Sequence, residues 1–286
     1  MRKKSLLLLS LLALYLVQVN AARVDTLKVK SASMNKEVEV VVIVPDAALG
    51  KNAVSCPAIY LLHGYGGNAK SWIDLKPTLP QIADEKGLLF ICPDGKNSWY
   101  FDSPKNPGYR YETFVSSELV DYIDSHYKTT ANRKGRAITG LSMGGHGALW
   151  LGIRHKEVFG AAGSTSGGVD IRPFPQNWEI QKQLGEFAYN KKSWDQHTVI
   201  NQIDKISNGE LALIIDCGEG DFFLNVNKDL HNRLLALKID HDFITRPGVH
   251  NGKYWRIRLI IRFFSLRNSS KNSDATFENR QEVVSQ

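Results

Sequence analysis

The sequence predicts an α/β fold, one mostly parallel central sheet with helices on both faces and a small inserted cap. Three observations point there. Several short runs are continuously apolar, as strands covered on both faces must be. Between them lie segments whose apolar residues recur at helical spacing. The runs end at glycine- and proline-rich punctuation, and strands alternating with helices at this cadence build a parallel sheet.

Glu37–Val44, rich in β-branched residues and closed by Pro45-Asp46, reads as a strand near a sheet edge. Ala58–Leu62 is a fully covered strand that runs into His63-Gly64-Tyr65-Gly66-Gly67. A helix is expected between Ser71 and Lys86, with Pro77 and Pro80 confining it to the second half. Leu88–Cys92 is a buried strand stopped by Pro93-Asp94-Gly95, and Tyr111–Tyr127 spaces Phe114, Leu119, Val120 and Ile123 as a helix does. Arg136–Thr139 is a short strand, followed by a helix over Gly144–Arg154. Strands at Phe159–Thr165, Leu211–Ile215 and Asp242–Arg246, with helices at Phe222–Leu237 and Tyr254–Leu266, complete the alternation.

Two segments stand outside this pattern. Gly168–Gly209, with Trp178, Phe187 and Trp194, is too long for a plain connection. It is either a cap over the chemistry or an excursion away from it. The polar stretch from about residue 268 to 286 lacks periodicity and is expected to be a disordered tail. The catalytic domain then spans about 22–267.

At the amino end, Met1-Arg2-Lys3-Lys4 precedes an apolar run from Leu6 to Val19 and the small residues Ala21-Ala22. Basic, apolar, then small is the order of a signal peptide, with cleavage expected near Ala21 and a secreted or periplasmic location. Removing Arg2, Lys3 and Lys4 from a chain of net charge +7 leaves +4, too little to argue for a nucleic-acid partner. After cleavage no membrane partner is expected either. Hydrophobic residues make up 43% and charged residues 23%, which suits one large soluble core. Cys56, Cys92 and Cys217 sit in or beside apolar runs, with no zinc-like spacing, and are expected to be buried free thiols.

The segment that carries chemistry is Gly140-Leu141-Ser142-Met143-Gly144, a G-x-S-x-G pattern between a strand and a helix. The pentapeptide alone arises by chance in roughly one chain in ten. Its context strengthens it, because a serine on a tight strand-to-helix turn is presented as a nucleophile. A hydroxyl needs a histidine to take its proton, and the histidine needs a carboxylate to orient it. In a parallel sheet such groups gather at the carboxyl ends of strands.

That rule filters the candidates. His231 falls mid-helix and His241 at the wrong end of a strand, whereas His250 follows a strand's carboxyl end in Arg246-Pro247-Gly248-Val249-His250. Asp216, Glu219 and Asp221 compete for the acid role. Asp221 lies past two glycines where the chain can turn towards a histidine, and Asp216 is the structural alternative. Negative charge on an attacked carbonyl needs backbone N–H donors. Met143, next after the serine, and Tyr65, in the glycine loop, are expected to supply them; His63 is expected to be structural.

Three ordered motifs carry a resemblance: His63-Gly64-Tyr65-Gly66-Gly67, Gly140 through Leu149, and Pro247-Gly248-x-His250 with Tyr254-Trp255. Together they resemble the esterase D-like family, which includes S-formylglutathione hydrolases, tributyrin esterases, mycolyltransferases, and acetyl and feruloyl esterases. The resemblance runs from about Val38 to Phe264. It implies an α/β-hydrolase fold and a metal-free, cofactor-free triad at Ser142, Asp221 and His250. Where relatives often carry a second glycine before the histidine and a tryptophan two residues after it, this chain has Val249 and Gly252.

The expected substrate is a small-molecule or polysaccharide ester. An exported chain favours carbohydrate esters over a cytosolic thioester. Trp99 and Tyr100 follow a strand's carboxyl end and are expected to border the site and stack on a sugar or aromatic acid, with core packing the alternative. Acyl transfer of the mycolyltransferase type, or carbohydrate binding without catalysis on the same fold, are the other functions considered.

Overall fold

The computed structural model describes residues 22–258. The expected leader at 1–21, the second half of the last helix and the tail at 268–286 lie outside the described residues. Eight strands form one sheet in the order β1-β2-β4-β3-β5-β6-β7-β8. They are β1 Arg23–Ser31, β2 Lys36–Val44, β3 Ala58–Leu62, β4 Leu89–Pro93, β5 Arg136–Leu141, β6 Ala161–Thr165, β7 Ala212–Gly218 and β8 Asp242–Arg246. From β4 to β8 every neighbouring pair is parallel, while β2 runs antiparallel to β1 and β4. The carboxyl ends of β3 through β8 therefore share one rim, the place where an open parallel sheet binds ligands.

The edge strand β1 has no counterpart among the expected elements. Its residues are mostly polar and exposed, with only Val29 and Ser31 buried, so it lacks the apolar run that marks the inner strands. It pairs with β2 along its whole length, from Arg23 opposite Val44 to Ser31 opposite Lys36.

The described residues hold nine α-helical segments, in chain order α1 Ser71–Leu75, α2 Leu79–Lys86, α3 Tyr111–Thr113, α4 Leu119–His126, α5 Met143–Arg154, α6 Ile180–Leu184, α7 Phe187–Gln196, α8 Leu224–Ala236 and α9 Gly252–Arg258. The expected helix before Lys86 is two helices: Pro77 lies between α1 and α2, and Pro80 sits in the first turn of α2, where its missing N–H costs no helical bond. The expected helix over Tyr111–Tyr127 is interrupted by a π turn at Phe114–Glu118. The Glu118 carboxylate in that turn accepts from the Ser31 hydroxyl at 2.6 Å and the Ser33 amide at 2.7 Å.

Alternation along the strands divides the core. Tyr60 and Leu62 face a large cluster with Leu119 and Ile123 of α4, Leu149 of α5, and Leu230 and Leu234 of α8. Ile59 and Leu61 face the opposite cluster with Trp72 of α1 and Leu79 and Ala83 of α2, against which Trp255 of α9 packs. Burying both faces excludes water from the backbone ladder beneath the carboxyl-end rim. Cys56, Cys92 and Cys217 are all buried, Cys92 and Cys217 as free thiols whose pKa burial pushes up.

Candidate active site

Ser142 sits alone between the last residue of β5 and the first of α5, at φ 54° and ψ −119°. An L-residue holds this conformation only when its surroundings over-determine it. Here the Ser142 amide donates to Thr165 of β6 at 3.0 Å, while its carbonyl accepts from His146 at 3.0 Å. The flanking glycines are steric requirements. A Cβ at Gly140 would lie 2.2 Å from the Gly144 carbonyl oxygen, and one at Gly144 would lie 2.1 Å from that of Leu62. The strand-to-helix turn is this tight because the backbone of α5 runs directly against β3 and β5.

Three chain-distant side chains meet above this turn. His250 Nε2 lies 2.8 Å from Ser142 Oγ, and its Nδ1 lies 2.9 and 3.0 Å from the two carboxylate oxygens of Asp221. The Asp221 side chain is fully buried and that of His250 is 12% exposed, so the relay opens to the cleft at its His250–Ser142 end and is shielded at the carboxylate. Asp221 also accepts the Phe223 amide N–H at 2.8 Å, which fixes its carboxylate plane. The acid loop and the histidine loop are tied together, with the Glu219 and Gly220 amides donating to the carbonyls of Arg246 and Gly248, each at 2.8 Å. The imidazole is gripped by rings: Phe222 tilted at 4.2 Å, Phe223 edge-on at 5.4 Å and Trp255 edge-on at 4.9 Å. With Nδ1–H donated to Asp221, Nε2 is left to accept the serine proton.

Asp216 takes a different part. Its carboxylate accepts from the buried Tyr254 hydroxyl and lies 3.5 Å from Arg246 Nη1. It thus joins β7, β8 and α9 through side chains, the structural part that the sequence left open for it.

The glycine loop after β3 faces Ser142 from the other side. Among the described residues, neither the Tyr65 nor the Met143 amide N–H has a protein acceptor. His63 is buried, and its Nε2 accepts the Gly95 amide N–H at 2.8 Å, which leaves the proton on Nδ1 to donate to the Gly64 carbonyl at 2.7 Å. Because Nε2 is occupied in this way, the 3.6 Å approach of Asp94 is a close contact of a neutral ring. His63 thus stitches the ends of β3 and β4 together under the loop.

A cleft of about 390 Å³ opens at this point, lined by the glycine loop, Trp72, Leu75, Ser142, Trp178, Phe222, His250, Gly252 and Trp255. Trp99 and Tyr100 do not line it. Both are buried, at 1% and 0% exposure. Trp99 packs edge-on against His146 and donates its indole N–H to the Trp178 carbonyl at 3.3 Å, while Tyr100 donates its hydroxyl to the His63 carbonyl at 3.3 Å. Their expected role as substrate platforms is corrected to that of a floor beneath the site, because the loop turns inward with Trp99 and Tyr100 both at positive φ. The aromatic rings that line it include Trp178 and Phe222, stacked at 5.6 Å, together with Tyr65, Trp72 and Trp255. Phe222 was within reach of sequence reasoning, being adjacent to Asp221. Trp178 lies in the long excursion and carried no such signal. No cluster of three or more metal-ligating side chains occurs among the described residues.

The Esterase family model matches residues 31–264. The chain belongs to the Esterase family. This esterase is 25% identical over 227 residues to an acetyl esterase of Caldicellulosiruptor saccharolyticus, covering 74% of this chain and 84% of that protein. It is 27% identical over 237 residues to S-formylglutathione hydrolase of Mus musculus, with 74% and 80% covered. A solved ferulic acid esterase superposes on the esterase with a TM-score of 0.70 at 26% identity, over 83% of this chain and 95% of that one. The fold is that of the α/β-hydrolases, and the protein is a serine hydrolase of carboxylic esters. The non-catalytic carbohydrate-binding alternative is set aside accordingly.

Proposed function

We propose that this protein is an exported serine carboxylesterase that releases short acyl or aromatic acyl groups from carbohydrate through an acyl-enzyme. The observation that carries the mechanism is the unbroken Asp221–His250–Ser142 relay at the mouth of an apolar cleft. Ser142 Oγ attacks the ester carbonyl as its proton passes to His250 Nε2, and Asp221 stabilises the imidazolium that results. The amides of Met143 and Tyr65, free of protein acceptors, receive the developing oxyanion. His250 then protonates the leaving alcohol, and water activated by the same nitrogen releases the acid. The aromatic walls of the cleft and the basic-apolar-small order of the first residues support an ester partner met outside the cytoplasm. Secreted or periplasmic placement is part of the same proposal.

Replacing Ser142 with Ala is expected to lower kcat for p-nitrophenyl acetate by at least ~10³-fold with an unchanged circular-dichroism spectrum. Turnover near the wild-type level would sink the mechanism. A panel of acetylated and feruloylated oligosaccharides reads the acyl preference. Acyl transfer to an alcohol is the second reading, favoured by 28% identity over 204 residues to a Mycobacterium gordonae diacylglycerol acyltransferase/mycolyltransferase, of which the chain covers 59%. Product analysis with added carbohydrate acceptor separates it from hydrolysis.

A further inference from the structure

One wall of the cleft is built unlike the others. Gly252, the first residue of α9, lines it opposite Leu75, with Trp72 and Trp255 completing an apolar arm beside the relay. Nothing in the backbone asks for glycine there, since its φ is not among the positive values. Packing does not ask for it either. A Cβ at Gly252 would meet only Leu75 Cδ1, at 3.4 Å, an ordinary contact. Gly140 and Gly144, by contrast, have backbone oxygens within 2.2 Å of the added atom. At a helix start, glycine has no propensity advantage over an L-residue and costs up to ~1 kcal/mol in a helix interior. What glycine at 252 does supply is room, because a side chain growing from this position points across the arm towards Leu75.

We infer that Gly252 sets the size limit of the cleft, keeping open an apolar arm between Leu75, Trp72 and Trp255 for a flat ester substituent larger than a methyl group. The inference rests on the proposed esterase reading of the site. The arm adjoins the reacting atoms, because Trp255 stands edge-on to His250 at 4.9 Å and Gly252 follows His250 by two residues. A substituent seated there is therefore covalently close to the carbonyl that Ser142 attacks. Its walls offer rings and a leucine methyl and no charged group, so they select for apolar, planar groups. One chemistry has two sources here, the acyl side or the alcohol side of the ester.

The test uses ratios of kcat/KM, so that any general effect of a variant cancels. In Gly252→Leu, the ratio of p-nitrophenyl cinnamate or butyrate to p-nitrophenyl acetate is expected to fall at least ~10-fold, the scale of excluding a few carbons from an apolar pocket. In Leu75→Ala, on the facing wall, the same ratio is expected to rise. In Gly252→Ala it stays within about twofold, because one methyl fits at the observed spacing. If the ratios move instead for naphthyl over methyl acetate while the acyl series stays flat, the arm carries the alcohol, and the size limit at Gly252 stands. Flat ratios in both series for both Gly252→Leu and Leu75→Ala overturn the inference. Failure of the esterase reading itself looks different, with wild-type protein turning over no ester in either series.

Discussion

Two aspartates five positions apart show how narrow the margin is between a reacting group and a brace. Asp216 lies within β7 and Asp221 three residues beyond its end, and both are buried. Only Asp221 reaches His250, because Gly218 and Gly220 let the chain fold back until its amides meet the carbonyls of the histidine loop. Asp216 is engaged by Tyr254 and Arg246. Asp221→Asn is expected to lower kcat by roughly 10³- to 10⁴-fold with little change in unfolding free energy, since the orienting acceptor is lost while the shape is kept. Asp216→Asn is expected to do the reverse, costing ~1–2 kcal/mol of stability while kcat falls by less than about tenfold. Urea unfolding and steady-state kinetics on the two proteins decide it, and equal kinetic losses would show that the roles are not separable. The serine and histidine were legible from the sequence because each needs a fixed local context, a strand-to-helix turn or a strand's carboxyl end. The substrate platforms were not. Trp99 and Tyr100 stand beside a strand end just as a cleft residue would, and only the positive φ of the loop, invisible in the residue types, turns them inward.

At the level of elements, the inner strands declared themselves by apolar runs, whereas β1 is an edge strand whose inward positions, Leu27, Val29 and Ser31, alternate weakly between charged neighbours. The π turn at Phe114–Glu118 left no trace in the sequence either, because its flanking residues keep helical spacing. The excursion between Gly168 and Gly209 resolves into a side wall: α6 and α7 lead away, with Trp194 buried against Phe187, and Trp178 is the residue from it that lines the cleft. Trp178 and Glu179 adopt φ of 48° and 54°, consecutive left-handed L-residues, which is a conformation costing of order 1–3 kcal/mol per residue. That strain turns the indole against Phe222 and Phe223, in reach of substrate but not of the relay. Trp178→Ala is therefore expected to raise KM for aromatic esters by about tenfold, the scale of one lost ring contact, with a much smaller change in kcat. A kcat loss with KM unchanged would mean instead that the wall holds the relay in place.

Across the whole molecule, the relay is carried on a core that contains a histidine able to limit its acid tolerance. His146, on α5 four residues after the nucleophile, is fully buried between Trp99, Phe101 and Trp150. Its Nδ1–H donates to the Gly168 carbonyl at 2.9 Å, and Nε2 has no partner among the described residues. Burial outweighs the hydrogen bond to that carbonyl and lowers the His146 pKa from 6.5 to about 4. His197, stacked on Trp150 in the same aromatic layer, is lowered by burial as well. The direction of the pH dependence follows. The unfolded chain takes up the His146 proton below its ordinary pKa near 6.5, while the folded chain refuses it until about 4. The stability that neutral His146 permits is thus intact above pH 6.5, drains away as pH falls towards 4, and changes no further below that. At 1.36 kcal/mol per unit, this one group accounts for about 3 kcal/mol. His146→Gln keeps a donor for the Gly168 carbonyl and removes the titration. It is expected to be less stable than wild type at pH 8 but to lose at least ~2 kcal/mol less between pH 7 and pH 4, with urea unfolding at each pH as the measurement. The comparison between the two proteins cancels the carboxylates, which titrate alike in both. Parallel stability curves would mean that the acid sensitivity of this fold lies elsewhere, and that the aromatic layer under the nucleophile tolerates a charge.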